Sequence, residues 1–457
     1  MRRLLEPTRW NFDYLITAIT FILLVGLALC TNVSSDTWWL LRTGQATLQQ
    51  GSIVTTDLFS WTNYGNYWPN HEWLTQVLMY GAMEIGGIGL LVVLFALIIV
   101  ATWIGVYSLS SGAARWRSLV LLLGIIDNAR GWSLRPQVIS VMLFVLVFFL
   151  IPRKRWHWLF VPLFLLWVNL HGGFAVGGAL LAITTAVALV KFRAEFLNWL
   201  MISLACVAVT LINPHGWEMW TFTFNSLNRS TYQYISEWQP HSLTTLSHYP
   251  FFLLAGLTMW SLWRTRSVRR DLREWVLVIA GLIFMILAFR SIRQAVFFDV
   301  LAVPIITRMF ANTKPMKTVV PQRGRLNQGI GGFMIVIMIG MIVMVWTQRQ
   351  PILSSQIISS LRNCSGNIYN TYETGGELIW FVPEKPVFID NRFDPYPYQL
   401  FLEASKVELD GDYQALFKRY PVTCALVPTT AKLSETLQRD GWQLKAQDSQ
   451  LSVWEQP

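Results

Sequence analysis

The chain has 457 residues, of which 53% are hydrophobic and only 14% charged, against about 25% charged in ordinary soluble domains. That balance excludes a water-soluble enzyme over most of the length, and it excludes disorder and coiled coil. The 23 Trp and 27 Phe suit interfacial aromatics of a membrane protein, four Cys are too few for a disulfide scaffold or a paired-CxxC zinc site, and the net charge of +10 argues for a partner only once it is located.

A bilayer crossing needs roughly 20 apolar residues, fewer when tilted or capped by aromatics. In chain order such runs are Tyr14–Cys30, Ile88–Leu109, Pro136–Ile151, Phe174–Val190, Leu197–Ile212, Phe251–Trp263, Trp275–Phe289, Ala295–Met309 and Ile330–Trp346. With weaker runs at Leu119–Ile126 and Trp156–Val168 the sequence predicts about eleven spans. The first run is too long, and lacks the small-residue cleavage site, for a removable signal peptide.

The basic residues test this count. With Met1 inside and about eleven crossings, the inner segments hold 20 Lys and Arg, and the outer loops before Gln348 hold only Arg42, Arg130, Arg135, Arg229, Arg290 and Arg293. Basic inner loops are what insertion favours. The bias predicts a multi-pass inner-membrane protein with a cytoplasmic N-terminus and an extracytoplasmic C-terminus. It also accounts for the net charge without nucleic acid, because hydrophobic spans interrupt every basic segment and no continuous basic face exists.

The resulting fold class is a multi-spanning α-helical membrane protein with a small C-terminal extracytoplasmic α/β domain. Residues 1–347 form the transmembrane domain, including a long first outer loop (31–75), and residues 348–457 form the α/β domain. In the latter, Ile368–Asn370, Val387–Asp390 and Cys424–Val427 read as short buried strands, and Tyr398–Val407, Asp412–Tyr420 and Ala431–Asp440 as helices. Cys364 and Cys424 both fall in this domain; a disulfide and a pair of buried free thiols both fit the sequence.

Within the first outer loop, Asp36 is placed as a helix N-cap after Ser34-Ser35. Trp38, Trp39, Leu41 and Leu48 give that helix an apolar side suited to the headgroup layer, and Gly51 ends it. His71-Glu72 opens a second helical stretch; the zinc-protease spacing would need a second His where Thr75 stands, so no metal site is read there. Asp57, followed by Phe59-Ser60, reads as a structural turn residue.

Arginines at the outer ends of spans break the charge bias: Arg130 and Arg135 bracket Gly131–Leu134, and Arg290 and Arg293 lie a turn apart. Arginine at membrane depth is disfavoured unless it faces a cavity or partner, and its fork suits a phosphate; the two pairs suit a lipid-linked phosphate, and snorkelling to headgroups is the competing role. Asn169 and His171, beside Gly172-Gly173, can orient a polar ligand or satisfy helix ends. A longer outer loop carries Asn213–Trp217 and Ser236–Pro240, whose aromatics suit sugar stacking or an interfacial belt. No Walker loop, Rossmann glycine pattern, GxSxG elbow or CxxC is present.

A short basic N-terminus, one span, a long first outer loop opening with an Asp, many further spans and an outer C-terminal domain resemble the GT-C superfamily of integral-membrane glycosyltransferases. The stretches Asp36–Gly44, His71–Leu74, Leu134–Gln137, Asn169–Gly173, Asn213–Trp217 and Pro386–Arg392 are similar to a group of bacterial GT-C-like membrane proteins. The resemblance implies transfer of a sugar from a polyprenyl-phosphate carrier to a lipid, glycan or protein acceptor at the outer face. It makes Asp36 the catalytic base, and Arg130, Arg135, Arg290 and Arg293 the carrier-phosphate ligands. Arg42, His71, Glu72, Asn169 and His171 complete the expected substrate-binding set. The sequence names no cofactor and leaves a divalent metal open. Where many GT-C members carry two acidic residues close together in that loop, Asp36 is followed by Thr37, so either Asp57 or Glu72 supplies a second carboxylate or there is none. The alternatives are a non-catalytic GT-C-like subunit or assembly factor that binds a lipid or a membrane-protein partner, and a lipid or polysaccharide transporter, for which Asp299 is the nearest candidate.

Overall fold

The computed structural model describes residues 6–226, 235–266, 270–349 and 351–457. Arg2, Arg3, Arg229 and Arg269, used above to orient the spans, lie outside the described residues. The chain divides into two units, Met1–Asn32 with Ile88–Thr347, and Val33–Gly87 with Gln348–Pro457. The sequence reading grouped the first outer loop with the membrane domain; by its contacts this segment instead belongs with the C-terminal residues.

In chain order the helices are α1 (Phe12–Leu29), α2 (Ser35–Gln50), α3 (Trp73–Leu109), α4 (Ala114–Asn128), α5 (Gln137–Leu150), α6 (Phe160–Leu170), α7 (Phe174–Lys191), α8 (Arg193–Val209), α9 (Glu218–Ser226), α10 (Tyr249–Arg264), α11 (Leu272–Arg290), α12 (Ile292–Thr307) and α13 (Pro321–Gln348). Backbone dihedrals leave the helical region inside α3 at Gly86 and Gly87, which is where the chain passes from the second unit to the first. Gly87 sits at φ +61°, a conformation that only glycine adopts without strain.

Each apolar run expected to span is helical. Among the described residues, five helices are long and apolar enough to cross a membrane: α1, α3, α7, α11 and α13. The others are shorter, α6 having only 11 residues, and the expected span total is not reached on length alone. Local chemistry sets the helix starts. Asn11 accepts from the Tyr14 N–H at 3.0 Å ahead of α1, and Asp271 and Glu274 form a reciprocal cap on α11. Close packing needs small residues at crossings; a Cβ at Gly177 would enter the Trp167 ring and one at Gly281 would meet Ile305. Little of α13 is covered by protein, and Phe333, Val336 and Ile339 stand exposed along it.

Two polar clusters tie opposite ends of this bundle. At one end Asp13 accepts from Arg115 Nη1 at 3.0 Å and from the Met316 N–H at 2.6 Å. At the other, Leu134 N–H donates to the Asn32 carbonyl at 3.2 Å and Ile292 N–H to that of Gln239 at 2.9 Å.

In the second unit, α14 (Ser355–Asn363), β1 (Asn367–Asn370), α15 (Tyr372–Phe381), α16 (Tyr398–Asp410), α17 (Gln414–Arg419), β2 (Val422–Pro428), α18 (Lys432–Arg439), β3 (Gln443–Gln447) and β4 (Leu451–Glu455) follow one another. The sheet order is β1-β2-β4-β3, with β1 parallel to β2 and the other pairs antiparallel. Its core is Tyr369, Phe388, Phe401, Leu433, Leu437 and Trp454 with their neighbours. Cys364 and Cys424 are joined in a disulfide, which decides between the two readings of that pair.

Val387–Asp390, expected as a strand, is not part of the sheet. Its partners lie instead in the first loop: Val387 N–H donates to the Phe59 carbonyl at 2.9 Å and Trp61 N–H to that of Val387 at 3.0 Å. The Asn370 side chain accepts from Phe388 N–H and donates to the Ile389 carbonyl, each at 2.7 Å. The run is buried as a strand would be, but its backbone is satisfied locally and by a segment more than 300 residues earlier.

Candidate active site

The acid proposed as base sits in the first turn of α2. Ser34 precedes the helix as its cap residue, so Asp36 is one step inside the helix rather than the N-cap expected from the sequence. The carboxylate still lies on the favourable end of the helix dipole, and Oδ1 accepts from Trp39 Nε1 at 3.1 Å. Ser35 Oγ donates to Asn391 Oδ1 at 2.7 Å, fixing the start of α2 to the 386–392 stretch. Gly51 ends α2 in the left-handed region, as its position required.

The apolar side of α2 is not open to headgroups. Trp38 packs on Phe381 with ring centroids 4.8 Å apart and Trp39 on Trp68 at 6.0 Å, and Leu41 is fully buried; of the four residues named for that side only Leu48 is exposed. Gly375 and Gly376 let α15 come this close, because a Cβ at either would strike the Ile389 or the Ser35 carbonyl. Glu377 on α15 accepts from the Ile352 and Leu353 N–H groups at 3.1 and 2.9 Å. Burial raises its pKa, opposed by those bonds and by one from the Trp38 indole.

Tyr372, at the start of α15, donates to the Asn391 carbonyl at 3.1 Å. Burial, and then the negative charge of Asp36 beside it, hold its phenol well above the ordinary tyrosine range. His71 Nε2 lies 3.3 Å from Glu72 Oε1. Burial works against charge on this imidazole, but Glu72, by charge and by hydrogen bond, and then Asp394 outweigh it and raise its pKa. Asp57 is the structural ion of the unit: fully buried, it accepts from the Phe59 N–H at 3.0 Å, from Ser60 Oγ, and from Arg392 Nη2 at 2.7 Å. Arg392 also binds Asp390, at 2.6 Å from Nη2 to Oδ2, and its guanidinium lies 4.9 Å from the Trp68 ring centre.

Arg130, Arg135, Arg290 and Arg293 belong to the first unit, and they are not paired as sequence order suggested. Arg135 Nη2 lies 2.5 Å from Glu237 Oε1 and Arg293 Nη1 3.8 Å from Glu237 Oε2, so these two share one acid. Arg293 also lies over Trp238, 5.1 Å from the ring centre. Burial opposes the Glu237 charge, but Arg135 and then Arg293 overcome it and hold its pKa below the usual carboxylate range. Glu237 thus gathers two guanidinium groups on one carboxylate. Arg130 is engaged elsewhere, 2.5 Å from Asp127 Oδ1 and 3.4 Å from His241 Nε2. Arg290 is exposed at the end of α11 and among the described residues forms no ion pair. Glu237 was not singled out in the sequence. The available signal was that it and Glu218 are the only acids between Asn213 and His248.

His171 accepts at Nδ1 from Ser140 Oγ at 2.7 Å and from Gly173 N–H at 3.1 Å, while Trp167 Nε1 donates to Ser140 Oγ at 2.8 Å. Because Nδ1 accepts from a backbone N–H, the ring proton lies on Nε2. Asn169 donates to the Leu165 and Ile212 carbonyls at 2.9 and 3.0 Å. Asp299, considered for a transport path, is buried and accepts from Asn128 Nδ2 at 3.0 Å.

No protein-family model and no curated sequence matches the chain. Solved structures do. Oligosaccharyltransferase AglB from Archaeoglobus fulgidus, in complex with an inhibitory peptide and a dolichol-phosphate, superposes with a TM-score of 0.57 at 12% identity, over 90% of this chain and 69% of that one. ArnT from Cupriavidus metallidurans bound to undecaprenyl phosphate gives 0.54 at 12% identity, over 96% of this chain and 97% of ArnT. The chain has a GT-C fold. Apo ArnT matches equally, at 0.53 over 94% of this chain. A GT-C fold at this identity carries the architecture, and chemistry has to be argued from side chains. In those terms the chain offers a helix-start carboxylate held by an indole, two arginines on a shared acid, and a histidine whose Nδ1 is engaged by Ser140 and Gly173.

Proposed function

We propose that the protein transfers a sugar from a polyprenyl-phosphate carrier to a hydroxyl acceptor. The carrying observation is the Asp36 carboxylate, aligned by Trp39 in the first turn of α2 in a chain whose fold matches an enzyme solved with undecaprenyl phosphate along almost its full length. The acceptor hydroxyl attacks the anomeric carbon, the bond from that carbon to the carrier phosphate breaks, and the hydroxyl proton passes to Asp36. The carrier phosphate leaves with the bonding pair, so no nucleotide is required. Arg135 and Arg293, brought together on Glu237, hold the charge that grows on it. Arg130, whose charge is met by Asp127, contributes less. His71, Glu72 and His171 bind the polar substrate, and transfer takes place at the outer membrane face.

The test is full-length protein in nanodiscs supplied with undecaprenyl-phosphate-linked sugars, with release of undecaprenyl phosphate followed by mass spectrometry. D36N is expected to retain carrier binding and lose turnover. Wild-type protein with no measurable undecaprenyl-phosphate binding, or D36N with wild-type turnover, would overturn the reading.

A further inference from the structure

The second unit contains a cleft of about 210 Å³ between the second half of α2 and residues 379–386, and Asp36 does not line it. Two cations do, Arg42 and Lys385. Each is fixed by a neutral oxygen: Arg42 Nη1 donates to Gln45 Oε1 at 2.5 Å, and Lys385 Nζ to the Cys364 carbonyl at 2.6 Å. Among the described residues neither has an ion-pair partner. The nearest acid in sequence, Glu384, is held by Arg362 at 2.8 Å. Two half-buried cations therefore face one concavity with their charge uncompensated, which is a favourable place for an anion. The rest of the lining is divided between amide side chains, Gln49 and Gln50, and an apolar wall at Phe59 and Pro386. Amides serve hydroxyls and an apolar wall serves a ring face. The volume is below the ~300 Å³ at which drug-sized ligand pockets begin, which suits a single ring. The cations are also pre-positioned: Lys385 is anchored to Cys364, itself locked to Cys424 by the disulfide, and Arg42 to its own helix.

We infer that this cleft binds a single sugar ring carrying a phosphate or a carboxylate, with Arg42 and Lys385 as the anion ligands. The inference rests on the cleft alone and stands whether or not Asp36 is a catalytic base.

The test is calorimetric titration of the full-length protein in neutral-lipid nanodiscs with glucose 6-phosphate, glucuronate and glucose. Saturable binding of either anionic sugar is expected, with glucose weaker by about tenfold or more, since a charge-assisted hydrogen bond is worth roughly that factor. The R42Q/K385Q double variant should lose about the same factor for the anions, while R42K/K385R, which keeps both charges, should retain binding and so show that the cleft is intact. D36N should bind them as wild type does, which separates this site from the transfer chemistry. Absence of saturable binding by wild-type protein, equal binding of glucose, or full affinity in R42Q/K385Q overturns the inference.

Discussion

Arg392 Nη2 lies 2.7 Å from Asp57 Oδ1, with both side chains fully buried and the two residues 335 positions apart in sequence. This pair joins the segment after α2 to the stretch before α16, and Asp390 and Tyr396 complete it. Removing the cation leaves two buried carboxylates without their partner. R392A should therefore lower stability by about 3–5 kcal/mol, the usual effect of breaking a buried pair. D57N, which keeps the shape and relieves one charge, should lower it by less. Thermal unfolding in detergent, read by intrinsic fluorescence, ranks the two; R392A melting with wild type would remove Arg392 as the organiser of this unit.

For Asp36 the expected signature is kinetic. D36N should reduce turnover by roughly 10²–10⁴-fold, the usual range for a general base, without lowering the melting temperature. A fall in carrier affinity with unchanged turnover at saturation would make Asp36 a binding group instead.

Glu237 predicts a pH response. Its pKa is depressed in the folded protein by Arg135 and Arg293 acting against burial. A depressed carboxylate contributes stability above its unfolded value, near 4.3, and that contribution is lost as pH falls through the lower folded value. The melting difference between wild type and E237Q should accordingly be constant from pH 7 to about 5 and shrink below about 4. E237Q should also bind undecaprenyl phosphate more tightly at neutral pH, having lost the carboxylate that Arg135 and Arg293 share. Weaker binding would show that Glu237 is needed to hold the two arginines in place.

His71 responds in the opposite sense. Burial lowers its pKa, but Glu72 and Asp394 raise it further, to a net rise above 6.5. Its stabilising contribution is complete below the unfolded value and is lost as pH rises through the folded one. Wild-type protein should therefore lose a stability increment above about pH 6.5 that H71Q lacks. Parallel melting curves for the two across that window would contradict the pairing with Glu72.

The Cys364–Cys424 disulfide closes a 60-residue separation. Its loss in C364S/C424S should lower stability by roughly 2–4 kcal/mol, and reductant should move the wild-type melt toward that of the variant. No shift with reductant, the thiols being shown free, would mean that folding of this unit does not depend on the bridge.

The membrane helices were legible because long apolar runs are a strong signal and need no partner to be recognised. The acid at the start of α2 is legible for a similar reason, since the polar run Ser34–Asp36 and the left-handed glycine Gly51 are local signals; the cap position falls at Ser34, two residues before Asp36. What failed was pairing. Val387–Ile389 has the composition of a strand, but its backbone partners are Phe59 and Trp61, which nothing in the local sequence announces. Arg130 and Arg135 look like a pair along the chain, yet Arg135 shares Glu237 with Arg293 and Arg130 answers to Asp127. α15 is not among the helices expected from the sequence; its Gly375 and Gly376 admit Ile389 and Ser35, a role set by contact rather than by local sequence. Side-chain identity is local information and contact is not, so the roles read best were those fixed within one turn.

The order of synthesis gives the discontinuous second unit a particular difficulty. Asp57 leaves the ribosome 335 residues ahead of Arg392, an interval on the order of 15–70 s at ordinary elongation rates. Throughout that time Phe59, Trp61 and Trp68 lack the residues that will cover them. Production of this protein is therefore sensitive to whatever shields that segment during translation, and truncation before Arg392 should be degraded rather than accumulate.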